Sequence, residues 1–162
     1  MENKINLLFV DDEEQFLASL TKQLAVRDFN VVAVDRGDKA LDAADEMEID
    51  IALVDLKMPG MNGEETLRSL KKKHPWMEIV ILTGHGTPDA AADTMLSGAY
   101  AYLMKPCRLN ELLDVLKSAY KKKVMNKNQI EEKRMNQLLK LSESNSPKDI
   151  LKRLKEIDRS GP

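Results

Sequence analysis

Asp11, Asp12, Asp55, Thr83 and Lys105 stand at the C-terminal ends of short apolar runs. Ile5–Val10 leads into the Asp11-Asp12 pair, Ile51–Val54 into Asp55, Ile79–Leu82 into Thr83, and Tyr100–Met104 into Lys105. In an open parallel α/β sheet, ligands bind outside the carboxyl ends of the strands, so these side chains are candidates for one pocket. Three carboxylates gathered there repel one another unless something positive sits among them. An oxygen-only ligand set favours a hard cation, and Mg²⁺ takes one or two carboxylates, the remainder being water and phosphate oxygens. Lys105 offers a mobile cation to a phosphoryl oxygen, and Thr83 offers a hydroxyl. With the negative charge neutralised, Asp55 can act as a carboxylate nucleophile towards phosphorus, leaving an acyl phosphate on the protein.

The elements that must position these residues follow from two alternating periods. Ile5–Val10, Val31–Val34, Ile49–Val54, Met77–Leu82 and Tyr100–Leu103 are short and aliphatic, as buried parallel strands are. Between and after them lie five segments with helical spacing. They are marked by Phe16, Leu17, Leu20 and Leu24; by Ala40, Leu41, Ala44 and Met47; by Leu67 and Leu70; by Ala91, Ala92, Met95 and Leu96; and by Leu109, Leu112, Leu113, Leu116 and Ala119. Five strand–helix repeats predict a doubly wound, five-stranded parallel sheet with right-handed crossovers and helices on both faces. Asn62 with Glu65 reads as a capping box, Thr87-Pro88 as an N-cap with proline in the first turn, and Gly98 as a left-handed helix stop.

Composition bounds the rest. A chain of 162 residues, 43% hydrophobic, suits one α/β domain plus an appendage. No run is long enough to span a membrane, and the N-terminus lacks the pattern of a signal peptide. Cys107 is the single cysteine, which rules out an internal disulfide and fits a cytoplasmic setting. His74 and His85 lack the companions a zinc site needs and read as lone surface histidines. The net charge of −2 hides an asymmetry: residues 1–120 carry 13 Lys/Arg and 21 Asp/Glu, whereas residues 121–162 carry 12 and 6. An acidic globular part, residues 1–122, is thus expected to precede a basic, helical extension over residues 123–162.

Four motifs now bear comparison together. Phe9-Val10-Asp11-Asp12-Glu13, Val54-Asp55-Leu56-Lys57-Met58-Pro59-Gly60-Met61-Asn62-Gly63, Leu82-Thr83-Gly84 and Gly98-Ala99-Tyr100-Ala101-Tyr102-Leu103-Met104-Lys105-Pro106 occur in order. Over residues 4–122 the chain resembles the receiver domains of two-component response regulators. The resemblance implies that Asp55 accepts a phosphoryl group from the phosphohistidine of a sensor histidine kinase or phosphotransfer protein. It implies Mg²⁺ held by Asp12 directly, by Asp11 through water, by Asp55 and by the main-chain carbonyl of Lys57. Lys105, aimed by a cis peptide to Pro106, would meet a phosphoryl oxygen; Thr83 would move to the phosphoryl group; and Tyr102 would follow by changing rotamer. That motion would remodel the face made by the fourth helix, fifth strand and fifth helix.

Three positions depart from the common pattern. Cys107 follows Lys105-Pro106 where an aromatic is frequent, and reads as a small hydrophobe rather than a redox sensor. Lys57 and His85, each two residues beyond an active-site position, are candidates for setting phosphoryl lifetime by admitting or blocking water. Competing readings fare worse on the residues. A haloacid-dehalogenase-type phosphohydrolase would carry a second Asp two residues after its nucleophile, where Lys57 stands. A flavin or nucleotide carrier would carry a glycine-rich loop after the first strand, where Asp11-Asp12-Glu13-Glu14 stands instead. A phosphorylation-independent pseudo-receiver, acting as scaffold or adaptor, is the alternative that keeps the fold; the complete acidic pair, Asp55, Thr83 and Lys105 argue against it.

Past Lys121 the apolar pattern thins. Val124, Ile130, Met135, Leu138, Leu139 and Leu141 keep no heptad register, Ser142–Ser146 reads as a polar break, and Ser146-Pro147-Lys148-Asp149 as a new helix start ahead of Ile150, Leu151, Leu154 and Ile157. Residues 123–162 are too few for a helix-turn-helix output module and show no zinc-finger or basic-zipper pattern, so nucleic acid is not the expected target. The reading is a stand-alone signalling receiver, not an enzyme with an external substrate. It would act on a downstream protein, with a homodimer among the assemblies open to it, and the extension would be a partner-binding element.

Overall fold

The alternation of aliphatic side chains along each strand sends two separate rows of residues to opposite faces of one sheet. In the computed structural model, Leu8, Val10, Ala52, Val54, Ile79 and Ile81 meet one set of helices, while Leu7, Phe9, Ile51, Leu53, Val80 and Leu82 meet another. Residues 3–144, 151, 152, 155, 156 and 158 are described. The elements are β1 (Ile5–Val10), α1 (Glu14–Ala25), β2 (Phe29–Val34), α2 (Gly37–Glu46), β3 (Ile51–Val54), α3 (Gly63–Lys73), β4 (Glu78–Thr83), α4 (Pro88–Leu96), β5 (Ala101–Met104) and α5 (Leu109–Ser144).

The five strands form one parallel sheet in the order β2-β1-β3-β4-β5. On one face, Ala40 and Ala44 of α2 and Leu67 and Leu70 of α3 close the core. On the other, Leu20 and Leu24 of α1 and Leu112, Leu116 and Ala119 of α5 close it. Burial on both faces is why the strands read as continuous apolar runs. The doubly wound sheet is therefore as the periodicity predicts.

Capping fixes where the helices near the site begin. Asn62 accepts a hydrogen bond from the Glu65 N–H at 2.9 Å, and Thr87 accepts one from the Ala90 N–H at 3.1 Å ahead of Pro88. Gly98 follows α4 with φ of 108°. Gly63, the first residue of α3, is a close approach: a Cβ there would lie 2.2 Å from the Asp55 carbonyl oxygen and 2.5 Å from Leu56 Cα. Backbone cannot step aside as a side chain tip can, so only glycine lets α3 start directly beneath Asp55.

The structure corrects the reading in several places. β2 starts at Phe29 rather than Val31, and β3 at Ile51 rather than Ile49. β4 runs Glu78–Thr83 rather than Met77–Leu82, and its Glu78 carboxylate is buried beside Lys71 and Lys122, each at 3.7 Å, so a charge is tolerated inside a strand. Met47 lies past the end of α2 and is exposed. In α4 the buried residue is Thr94, its hydroxyl donating to the Ala91 carbonyl, while Met95 and Leu96 face solvent. A satisfied threonine hydroxyl packs without penalty, which an apolar count misses. His74 is not alone, since its Nε2 lies 3.3 Å from Asp45 Oδ1 and its ring meets Trp76 edge-on.

The chain divides after Lys123 into two compact units, Met1–Lys123 and Val124–Pro162. In the second, α5 continues as helix to Ser144, passing through Ser142–Ser144 where a polar break is predicted. Serine and glutamate cost a helix only a few tenths of a kcal/mol each, and propagation needs no new nucleus. Val124, Ile130 and Leu138 are half-buried and Leu141 is buried, while Met125, Met135 and Leu139 are exposed. The helix start predicted at Ser146-Pro147-Lys148-Asp149 lies outside the described residues, as do Ile150, Leu154 and Ile157; Leu151 is helical and exposed.

Candidate functional site

Main-chain hydrogen bonds at the C-terminal edge of the sheet set the site's frame. The Asp11 N–H donates to Val34 at 3.1 Å, the Asp55 N–H to Val10 at 2.9 Å, and the Lys105 N–H to Thr83 at 2.9 Å. Pairing of Val10 with Val54, and of Thr83 with Met104, puts the residues that follow them side by side. A separation of 94 residues between Asp11 and Lys105 thus becomes a 2.7 Å contact.

Asp11 is fully buried. Its Oδ1 accepts the Glu13 N–H at 2.9 Å, and its Oδ2 accepts from Lys105 Nζ at 2.7 Å. Desolvation raises its pKa, outweighing the lowering by the Lys105 hydrogen bond, the Glu13 N–H and the Lys105 charge. Lys105 sits in the reciprocal position. Burial would lower its ammonium, but the hydrogen bond to Asp11, the charges of Asp11 and Asp55 and the hydrogen bond to Glu13 together hold it above its ordinary value. Its Nζ lies 3.3 Å from Glu13 Oε1 and 3.6 Å from Asp55 Oδ2, the latter an ion pair too long for a hydrogen bond.

Asp55 is 1% exposed, and neither of its carboxylate oxygens has a hydrogen-bond partner. Such orphaned oxygens are costly unless something unrepresented in the protein's own groups satisfies them. Asp12 is exposed, and one carboxylate oxygen from each of Asp11, Asp12 and Asp55 lies within 4.8 Å of the other two. An all-oxygen set of three carboxylates, one with both oxygens unpaired, fits a hard divalent cation such as Mg²⁺. Beyond Asp12 the surface opens into a cleft of about 590 Å³ lined by Asp35, Arg36, Asp38, Pro59, Gly60 and Met61. Asp55 and Lys105 are absent from its walls, so it flanks the reacting groups rather than holding them.

Thr83 is buried at the end of β4, and its Oγ1 accepts the His85 N–H at 3.1 Å, which leaves the hydroxyl proton to donate. The Lys105–Pro106 peptide is cis. Tyr102 is half-buried with its hydroxyl unpaired; burial first, then the Asp55 charge, raises its pKa. The ring lies against Gly86, where a Cβ would come within 1.7 Å of Tyr102 Oη. Lys57 and His85 are exposed, and His85 joins the cluster through its main-chain N–H. Cys107 is half-buried against the α1/α5 core, with its thiol pKa pushed up by burial and by the Glu111 charge, as suits a packing residue. Glu13 and Phe16, neither of them assigned to the site from sequence, both touch Lys105. Glu13 stood inside a recognised motif, which was the available signal; Phe16 was counted as core.

The family model for the response regulator receiver domain matches residues 7–117. The chain belongs to this family. Over 127 residues it is 32% identical to the regulatory protein LuxO of Vibrio cholerae, covering 78% of this chain and 28% of LuxO. Over 110 residues it is 32% identical to the DNA-binding transcriptional regulator NtrC of Escherichia coli, covering 68% of this chain and 24% of NtrC. The chain thus spans about a quarter of the length of these relatives. Among solved structures, a receiver domain from Clostridium thermocellum aligns with TM-score 0.71 and 32% identity, covering 75% of this chain and 98% of that one. A CheY-like receiver from Methanospirillum hungatei aligns with TM-score 0.73 and 27% identity, covering 76% and 98%. The receiver fold accounts for β1 to the first part of α5. No helix among the described residues is long and apolar enough to cross a membrane.

Proposed function

We propose that this receiver domain takes a phosphoryl group onto Asp55 from the phosphohistidine of a sensor histidine kinase or phosphotransfer protein. The observation that carries the reading is the buried Asp55 carboxylate, with both oxygens unpaired, set between two further aspartates and a lysine ammonium. Asp11, Asp12, Asp55 and the main-chain carbonyl of Lys57 would hold Mg²⁺. When bound, that ion neutralises the carboxylate cluster and the charge on the transferring phosphoryl oxygens.

The chain's own groups do the remainder. One Asp55 oxygen forms the bond to phosphorus as the donor's P–N bond breaks, and the electron pair of that bond stays with the departing imidazole. Lys105 shifts from Asp11 to a phosphoryl oxygen, a short distance given that Asp55 is already 3.6 Å away. Thr83 keeps its bond from the His85 N–H and turns its proton towards the phosphoryl group. Tyr102 follows, altering the face where Met95, Leu96 and Met104 are exposed, and a downstream protein or a second copy of the chain would read that change. The exposed side chains of Lys57 and His85 set the lifetime of the acyl phosphate by screening water. Alanine at both positions is expected to change the dephosphorylation rate, and an unchanged rate would remove that role.

The test is incorporation of phosphate from acetyl phosphate, with Mg²⁺ and with EDTA, in wild type and Asp55→Asn. Labelling that needs both Mg²⁺ and Asp55 is the expected outcome. If neither acetyl phosphate nor a phosphorylated kinase labels the wild type, the pseudo-receiver reading takes its place.

A further inference from the structure

Lysine carries its charge on a flexible four-carbon stem and is a point charge rather than a fork. Three carboxylates draw the Lys105 ammonium in different directions, at 2.7 Å for Asp11, 3.3 Å for Glu13 and 3.6 Å for Asp55. On a remaining side lies a ring: Nζ stands 4.2 Å from the centroid of Phe16. That ring is itself held, edge to face with Phe9 at 6.0 Å and 79°, and Phe9 is 1% exposed in the α1/α5 core. Phe16 therefore belongs to a rigid pair rather than a loose surface aromatic. Lys105 has 11% of its side chain exposed, so little water competes for the ammonium, which strengthens an attraction to a π face.

We propose that Phe16 is a positioning residue for Lys105. Its ring attracts the cation, closes the side away from the carboxylates, and leaves the ammonium a short path from Asp11 towards Asp55. The inference rests on the phosphoacceptor reading above and adds to it a residue outside the acidic and lysine set. A leucine at this position would keep the helix and most of the apolar contact but would lose the quadrupole that faces the ammonium.

The test uses the full chain and acetyl phosphate with Mg²⁺, a small donor, so that no contact with a protein donor enters the rate. The rate of Asp55 labelling is measured in wild type, Phe16→Tyr, Phe16→Leu, and a series carrying one, two, three and five fluorines on the Phe16 ring. Fluorination drains the π face while leaving the ring's shape nearly constant. The logarithm of the rate should fall steadily with fluorine number, Phe16→Tyr should hold the wild-type rate, and Phe16→Leu should lose about three- to tenfold. A labelled wild type with a flat fluorine series overturns the inference, whether or not Phe16→Leu is slow, because only ring shape would then matter. A wild type that takes no phosphate overturns the phosphoacceptor reading itself, and this role with it. Thermal unfolding of each variant confirms that the rates compare folded proteins.

Discussion

Asp55 and Lys105 occupy one cluster yet make opposite demands on it. Asp55 is buried with neither oxygen hydrogen-bonded and Lys105 Nζ no nearer than 3.6 Å, so without a further cation it destabilises the fold it serves. Replacing it with asparagine removes a buried charge from between two other carboxylates. In EDTA, Asp55→Asn is expected to stabilise the protein by about 1–3 kcal/mol, and the rise in Tm that Mg²⁺ gives the wild type should shrink. Denaturant and thermal unfolding with and without Mg²⁺ decide this; a less stable Asp55→Asn protein in EDTA would contradict it. Lys105→Met should do the reverse. It strands the fully buried Asp11, whose Oδ2 is 2.7 Å from Nζ, and breaking one side of a buried pair costs about 3–5 kcal/mol. These residues were legible in the sequence because each ends an apolar run, and strand ends are where a parallel sheet gathers polar groups. Phe16 was not, because an aromatic at helical spacing looks the same whether its ring faces core or ammonium.

At the scale of elements, what periodicity shows well is which face is buried, and what it shows poorly is where an element stops. Ile5–Val10 was legible to the residue because five of its six residues are apolar, Asn6 being the exception. β4 was misplaced by one residue, Met77–Leu82 against Glu78–Thr83, because an apolar count takes in Met77 and leaves out the polar but buried Thr83. The β4–α4 connection hid more, since Gly86 matters through a contact sixteen positions away. A Cβ at Gly86 would lie 1.7 Å from Tyr102 Oη and 2.7 Å from Met104 Sδ. Gly86→Ala should therefore drive the Tyr102 ring outwards. In the wild type, burial of the hydroxyl and then the Asp55 charge raise the Tyr102 pKa above 10.0, so the neutral form is the one the fold prefers. The associated stability is present below the ordinary tyrosine pKa and is lost as pH rises through the raised value. Ultraviolet titration of the phenolates should show Tyr102 ionising late in wild type and near the ordinary value in Gly86→Ala. Unchanged late ionisation would mean the ring stays in place and the loop yields instead.

Over the whole molecule, the division into an acidic first part and a basic last part was visible from charge alone, and the compact units divide after Lys123. What charge counting missed is that the basic run already contributes to the first unit. Lys123, one of three consecutive lysines, is buried, and its Nζ lies 2.7 Å from Asp50 Oδ1. Asp50 Oδ2 accepts the Asn6 N–H at 2.8 Å, and the Asp50 N–H donates to the Asn6 carbonyl at 2.9 Å. Lys123 is thus tied to the N-terminal edge of β1 and β3, the edge opposite the aspartate cluster. A partner 73 residues away in sequence leaves no local trace, which is why Lys123 read as the first residue of the basic extension. In the full chain, Lys123→Met should lower stability by about 3–5 kcal/mol, because it leaves Asp50 buried with one oxygen unpaired. Adding Asp50→Asn should recover much of that loss, since the remaining amide carries no charge and can still accept the Asn6 N–H. Denaturant midpoints for the two single variants and the double variant form the cycle that measures the coupling. Additive losses would show that the pair is held in solvent rather than in the core, whereas a double variant more stable than Lys123→Met alone would show that Lys123 and Asp50 are coupled as a buried pair at the base of the sheet.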